Sequence, residues 1–135
     1  MIDQVIYDFV EKHRIAVLST LIENGKPHGA TIHYASTQPL ELYFVTEMTT
    51  RKLQAMTHSP NQSGPAAVVI GFSEEEWVEL QMEGTISIIT KKEKLEHAWD
   101  ITLEKFPQSA KRKPDTKYAM LSFVPTWWRY TQFRP

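Results

Sequence analysis

The sequence predicts a mainly β fold, a small antiparallel barrel with flanking helices. Two observations predict it. Five or six short runs of β-branched and aromatic residues follow one another at close spacing. Most are joined by turns too short for the crossover helix of a doubly wound α/β sheet. A length of 135 residues, 41% of them hydrophobic, suits one domain spanning residues 1–135 with a single core.

Residues 3–13 read as a helix that Asp3 can cap, with Ile2, Val5, Ile6, Phe9 and Val10 at helical spacing. Residues 15–22 form the first strand, ending at Glu23-Asn24-Gly25-Lys26, where Asn-Gly supplies the positive φ angles of a hairpin turn. The second strand, 28–35, sets Ala30, Ile32 and Tyr34 against Thr31, His33 and Ala35. Ser36 to Pro39 turns the chain into a third strand, Leu40 to Thr46, and a three-strand meander is the simplest pairing. A helix from about Thr50 to His58 turns Leu53 and Met56 inward, and a polar loop covers 59–65.

The fourth strand, 66–72, is apolar almost throughout, which predicts burial on both faces or a subunit contact. After the acidic turn 73–76, a fifth strand runs over 77–90, with Val78, Leu80, Met82, Ile86 and Ile88 on one face. Residues 92–106 form an amphipathic helix burying Leu95, Ala98, Trp99, Thr102, Leu103 and Phe106, which Pro107 ends. A basic loop leads to the last strand, 118–133, broken at Pro125. A small barrel fills its interior with side chains, so a ligand belongs outside it or between subunits.

Fifteen basic against sixteen acidic residues give a net charge of -1, unlike the basic face of a nucleic-acid binder. With no cysteine, disulfides and thiolate metal sites are excluded, and a reducing cytoplasm is the expected location. The first residues lack the basic and apolar regions of a secretory signal, and no apolar run approaches the ~18 residues of a membrane span. The histidines show no i, i+4 pair for a helical metal site, and no Ser/His/Asp or Cys/His arrangement is visible.

Thr49-Thr50-Arg51-Lys52 opens the second helix. A helix start leaves about four N–H groups unpaired and carries roughly half a positive charge, so Arg51 and Lys52 oppose the dipole. A bound phosphate would resolve that conflict, with the Thr hydroxyl, the Arg fork and the Lys charge converging on it. A solvated basic turn is the other reading, as a solvated loop is for Lys111-Arg112-Lys113. His33 suits either a ligand contact or a structural role. Trp127-Trp128 and Trp99 suit an interfacial aromatic cluster, while the helical phase of Trp99 equally suits core packing.

Val17-Leu18-Ser19-Thr20, Asn24-Gly25-Lys26-Pro27, Leu42-Tyr43-Phe44-Val45-Thr46 and Thr50-Arg51-Lys52 follow each other in an order and spacing that resembles a known family. It is the pyridoxamine 5'-phosphate oxidase-like, FMN-binding split-barrel family, above all its small general-stress-protein-like members. Ser59-Pro60, Glu83-Gly84-Thr85 and Leu121 to Pro125 extend the resemblance over about residues 5–132.

The resemblance implies an antiparallel split β-barrel of about six strands with flanking helices. It implies FMN as cofactor and a homodimer with two flavin sites at the interface. Thr50, Arg51 and Lys52 would hold the phosphate. Ala30, Thr31, Ile32, His33, Val45 and Thr46 would border the ring and ribityl chain. Gln81 would meet the pyrimidine edge, because an amide both donates and accepts, although a solvated strand face is its other reading. Trp127 would stand in for a capping Trp, whose own place by spacing is Thr131.

Ala30 and Ala35 stand where the vitamin oxidases carry Arg and Lys, and the Arg-rich C-terminal motif is not found before Arg134-Pro135. The expected activity is therefore an FMN-dependent oxidoreductase acting on an unidentified small molecule, with the cofactor carrying the chemistry. The alternatives are a flavin-binding stress buffer or sensor without turnover, and a split barrel using deazaflavin or haem.

Overall fold

The computed structural model describes residues 2–57 and 59–133. Helix α1 (Gln4–Lys12) leads into β1 (Ile15–Leu21), β2 (Pro27–His33), β3 (Ala35–Thr37) and β4 (Glu41–Glu47). Helix α2 (Arg51–Thr57) precedes the long hairpin of β5 (Ser63–Gly71) and β6 (Val78–Ile88). Helix α3 (Lys92–Lys105) and a 3-10 segment (Pro107–Arg112) then lead to β7 (Tyr118–Gln132). The seven strands form one antiparallel sheet, ordered β2-β1-β5-β6-β7-β4-β3 and curled into a half-barrel with flanking helices.

Asn24 and Gly25 both take left-handed φ angles, 67° and 71°, as the Asn-Gly turn requires. The second strand departs from expectation at Tyr34. Its ring is fully buried and its hydroxyl donates to the Val10 carbonyl at 2.5 Å. The chain bends there, and Ala35–Thr37 pairs with Glu41–Tyr43 rather than continuing beside β1. The expected turn 36–39 is thus partly strand. The three-strand meander is corrected as well, because β4 pairs with β7 from Leu42↔Phe123 to Glu47↔Tyr118.

The loop 59–65 yields its end to β5, where Ser59 Oγ accepts from the Ser63 N–H at 2.9 Å. β5 buries Ala66, Val68 and Ile70 on one face only, and Ala67 and Val69 are left half exposed on the other. β7 does not break at Pro125. It continues through a bulge of its own, in which Glu83 pairs with Trp127 and Gly84 with Pro125 and Thr126 is the extra residue. A bulge suits a residue that cannot donate to the ladder. The carboxylate of Asp3 makes no capping bond. Its carbonyl instead accepts from the N–H groups of Ile6 and Tyr7 at 3.0 and 3.2 Å. The predicted end of the second helix, His58, lies outside the described residues.

Leu18, Leu42, Phe44, Val68, Leu80 and Phe123 are fully buried in the main core, so the half-barrel is filled by its own side chains. Leu53 and Met56 of α2 pack into the same core. A second cluster joins Ala98 and Trp99 of α3 to Tyr43, Ile89 and Met120. Trp99 is therefore a core residue of the α3 packing. Trp128 packs against the main core, and Trp127 is 43% exposed.

Candidate functional site

The sheet is open along one line. β2 pairs only with β1, and β3 covers β4 only over Glu41–Tyr43. Among the described residues, the edge of Phe44–Glu47 on that side and the outer edge of β2 have no ladder partner. Unpaired strand edges present free N–H and C=O groups. Against this split lies a cleft of about 370 Å³, lined by Thr31, Ile32 and His33 of β2 and by Tyr43 and Val45 of β4.

The C-terminal end of α3 and the 3-10 segment complete the cleft. Phe106 closes the helix by donating to the Thr102 carbonyl at 2.7 Å, and Ser109 donates to the Phe106 carbonyl at 3.0 Å. These bonds set Thr102, Phe106 and Ser109 in the lining, and Lys111 and Arg112 follow them there. The His33 and Phe106 rings lie 5.1 Å apart, and the Arg14 guanidinium sits 4.5 Å over Phe106.

The lining holds the basic side chains Lys111 and Arg112 and no carboxylate. Lys113 is paired with Glu96 at 3.1 Å, whereas neither Lys111 nor Arg112 has an acidic partner among the described residues. Arg112 lies 5.4 Å over the Tyr118 ring. Burial, with the Glu41 carboxylate second, pushes the Tyr43 phenol up to about 12, so it stays protonated near neutrality. An electropositive, partly apolar cleft of this kind suits an anionic ligand.

The turn after β4 begins three residues beyond Val45, about 10 Å further along the strand. Thr46 is buried, and its hydroxyl lies 3.2 Å from the Thr50 hydroxyl. Thr50 also donates from Oγ1 to the Glu47 carbonyl at 2.9 Å, while Glu47 itself is exposed. Arg51 is exposed and Lys52 half-buried, and neither pairs with a carboxylate among the described residues. Burial holds the Lys52 ammonium below its ordinary range. α2 is only seven residues long, so the Thr hydroxyls and the two cations, more than a helix dipole, would carry any phosphate contact.

Of the residues singled out in the sequence, Thr31, Ile32, His33 and Val45 meet in the cleft. Thr46, Thr50, Arg51 and Lys52 form the adjoining turn, and Ala30 points to the opposite face of β2 from Thr31. Gln81 lies on the outer face of the sheet, in the row Thr31–Val17–Val69–Gln81–Arg129. That is three strand spacings, about 14 Å, from Thr31. Trp127 lies in the next row, beside Glu83. Within one chain neither lines the cleft.

On the α3 side of the cleft, Thr102 and Phe106 read in the sequence only as buried helix residues, and Lys111 and Arg112 only as part of a basic loop, solvated or screening an anionic substrate. The one readable signal there was a basic run with too few neighbouring acids to neutralise it, and only the fold shows which member is paired. Among the described residues no serine or threonine hydroxyl bonds a histidine, and no group of three His, Asp or Glu side chains could hold a metal.

A family model described as pyridoxamine 5'-phosphate oxidase matches residues 2–132. No curated protein matches. Solved structures share the fold at low identity. A conserved hypothetical protein from Mycobacterium tuberculosis is 19% identical with a TM-score of 0.77, over 98% of this chain and 85% of that one. A Clostridium acetobutylicum protein related to general stress protein 26 of B. subtilis, of the pyridoxinephosphate oxidase family, is 21% identical with a TM-score of 0.70, over 95% and 86%. HutZ, the heme storage protein of Vibrio cholerae, is 12% identical with a TM-score of 0.77, over 94% and 92%.

Proposed function

The chain belongs to the pyridoxamine 5'-phosphate oxidase family, and from that premise we propose that it binds FMN in the split between β2 and β4 and serves as an FMN-dependent oxidoreductase for a small molecule. One observation carries the reading. The Thr46 and Thr50 hydroxyls meet at the end of β4, next in the chain to Arg51 and Lys52, which pair with no carboxylate among the described residues, and β4 leads back to a cleft lined by no carboxylate. That donor set fits a phosphate. The open edges of β2 and β4 fit the hydrogen-bonding rim of a flat ring, with Ile32 and Val45 offering apolar contact.

When bound, FMN supplies the hydride and single-electron chemistry that no side chain here provides. Thr50, Arg51 and Lys52 hold the phosphate, and Thr31, His33 and Val45 position the ring. Lys111 and Arg112 bring positive potential to the substrate side. Ala30 and Ala35, in place of basic residues, argue for a substrate other than pyridoxamine phosphate.

The site also asks for a second copy. Ile15, Val17, Leu21, Val124 and Trp127 are exposed apolar side chains on the outer face of β1 and β7. Pairing two such faces would bury them and bring Gln81 and Trp127 of one protomer towards the other's cleft.

Titration with FMN, followed by flavin fluorescence, tests the reading. Micromolar binding and a yellow protein are expected, and a protein that takes up no FMN sinks it. Reduction by a nicotinamide donor and rapid reoxidation by an acceptor would mark an enzyme, whereas a tightly held, unreactive flavin would mark a buffer or sensor. A haem reading has one observation in its favour, namely His33 as the histidine in the cleft lining. It expects a Soret band on haem addition that His33→Ala shifts or abolishes.

A further inference from the structure

Lys105, the last residue of α3, is half-buried, and among the described residues no carboxylate forms an ion pair with it. Its Nζ donates instead to the carbonyl of His13, just past the end of α1, where a helix terminus attracts a cation. The same ammonium lies 4.4 Å over the Tyr34 ring and 5.9 Å from the centre of the Phe106 ring. Burial, with the neighbouring Arg14 guanidinium second, holds the ammonium down at about 8, and the Glu11 carboxylate offsets this only in part. A desolvated cation without an ionic partner is costly. Methionine, of similar length, would fill the space without that cost.

The groups that hold Lys105 come from three parts of the chain. His13 follows α1, Tyr34 marks the bend after β2, and Phe106 ends α3. Tyr34 and Phe106 both line the cleft at the split. Lys105 does not. It lines a neighbouring groove that shares Ala35 with the cleft, so it reaches the cleft only through the rings it touches. The Phe106 ring lies 5.1 Å from the His33 ring, and Thr102, Ser109, Lys111 and Arg112 belong to the same wall.

We infer that Lys105 is a positioning residue for the cofactor cleft, tying the end of α3 to α1 across Tyr34 and so holding Phe106, and with it the α3 wall, against His33. The effect on the cofactor rests on the FMN reading above, whereas the placement of Phe106 does not.

Lys105→Met keeps an apolar stem and removes the charge and the donor, and Lys105→Arg keeps both. The His33 ring protons, followed by NMR near neutral pH, report the wall, because they lie in the ring-current field of Phe106. The Met variant should stay folded, move the His33 ring resonances and raise the FMN dissociation constant about tenfold, as when the wall holds its place about a tenth of the time. The Arg variant should restore most of both. His33 resonances unmoved in the Met variant would overturn the placement, and moved resonances with unchanged FMN affinity would overturn the link to the cofactor. An Arg variant that behaves like the Met variant would overturn the role of the charge. A wild-type chain that binds no FMN would sink the FMN reading alone, since the resonances still test the placement.

Discussion

Charges with and without partners separate the structural from the functional cations at the residue scale. Glu76 holds Lys12 at 2.6 Å and His13 at 2.8 Å, and Glu41 holds Lys94 at 2.9 Å. Among the described residues Arg51 and Lys52 have no such acid, so removing them should leave the fold intact and cost the ligand. Arg51→Ala with Lys52→Ala is expected to raise the FMN dissociation constant at least about 100-fold, with little change in Tm, as two charge-assisted contacts would predict. Unchanged affinity would refute the phosphate assignment even if flavin still binds. Glu41 carries a pH prediction. Burial alone would raise its pKa, but the Ser122 hydroxyl and the Lys94 ammonium outweigh burial and hold it below the ordinary 4.5. A carboxylate depressed in the folded state stabilises fully above 4.5, and that stability is lost as pH falls through the folded value. Urea midpoints should therefore fall below pH 4.5, and Glu41→Gln should flatten that fall.

At the scale of elements, the β6–β7 bulge and helix α2 each rest on a specific packing contact. At Gly84 an added Cβ would run into the Val124 carbonyl and Pro125, so the close approach of β6 and β7 requires glycine. Gly84→Ala is expected to cost roughly 2 kcal/mol or more, measured by denaturant unfolding. An unchanged midpoint would mean that the strands can move apart. Helix α2 is too short to be stable alone and is held by burial of Leu53 and Met56. Leu53→Ala should cost about 2–5 kcal/mol. It should also weaken FMN binding, because the same helix carries Arg51 and Lys52. The last strand was legible in the sequence as a run from Tyr118 but not as a continuous one. A proline reads as a break, and only its partner strand decides whether a bulge absorbs it.

For the whole molecule, the outer rows of β1, β5 and β7 decide the assembly. Val17 is 38% exposed and Trp127 43%, on a face that continues towards the cleft through Thr31. Single exposed apolar residues are ordinary, but an apolar stripe across several strands suits a partner. Sedimentation should find a dimer at micromolar concentration, and Val17→Asp should convert it to a folded monomer with weakened FMN affinity. A wild-type monomer that still binds FMN would remove the second copy from the site.

Local chemistry was enough to read much of this protein. The alternation of β6, the Asn-Gly turn, the apolar face of α3 and the basic turn after β4 depend on neighbours within a few residues, where period and side-chain type decide. What only the tertiary structure decided depends on contacts far apart in sequence. The chain bends at Tyr34, bonded to Val10, β4 pairs with β7 and not with β2, and the cleft lies between β2 and β4. The pairing of Lys113 with Glu96 separates it from Lys111 and Arg112, and the bond from Lys105 to the His13 carbonyl joins α3 to α1. Such features arise from which segments pack together, and a linear pattern of hydrophobic and charged residues does not encode that directly.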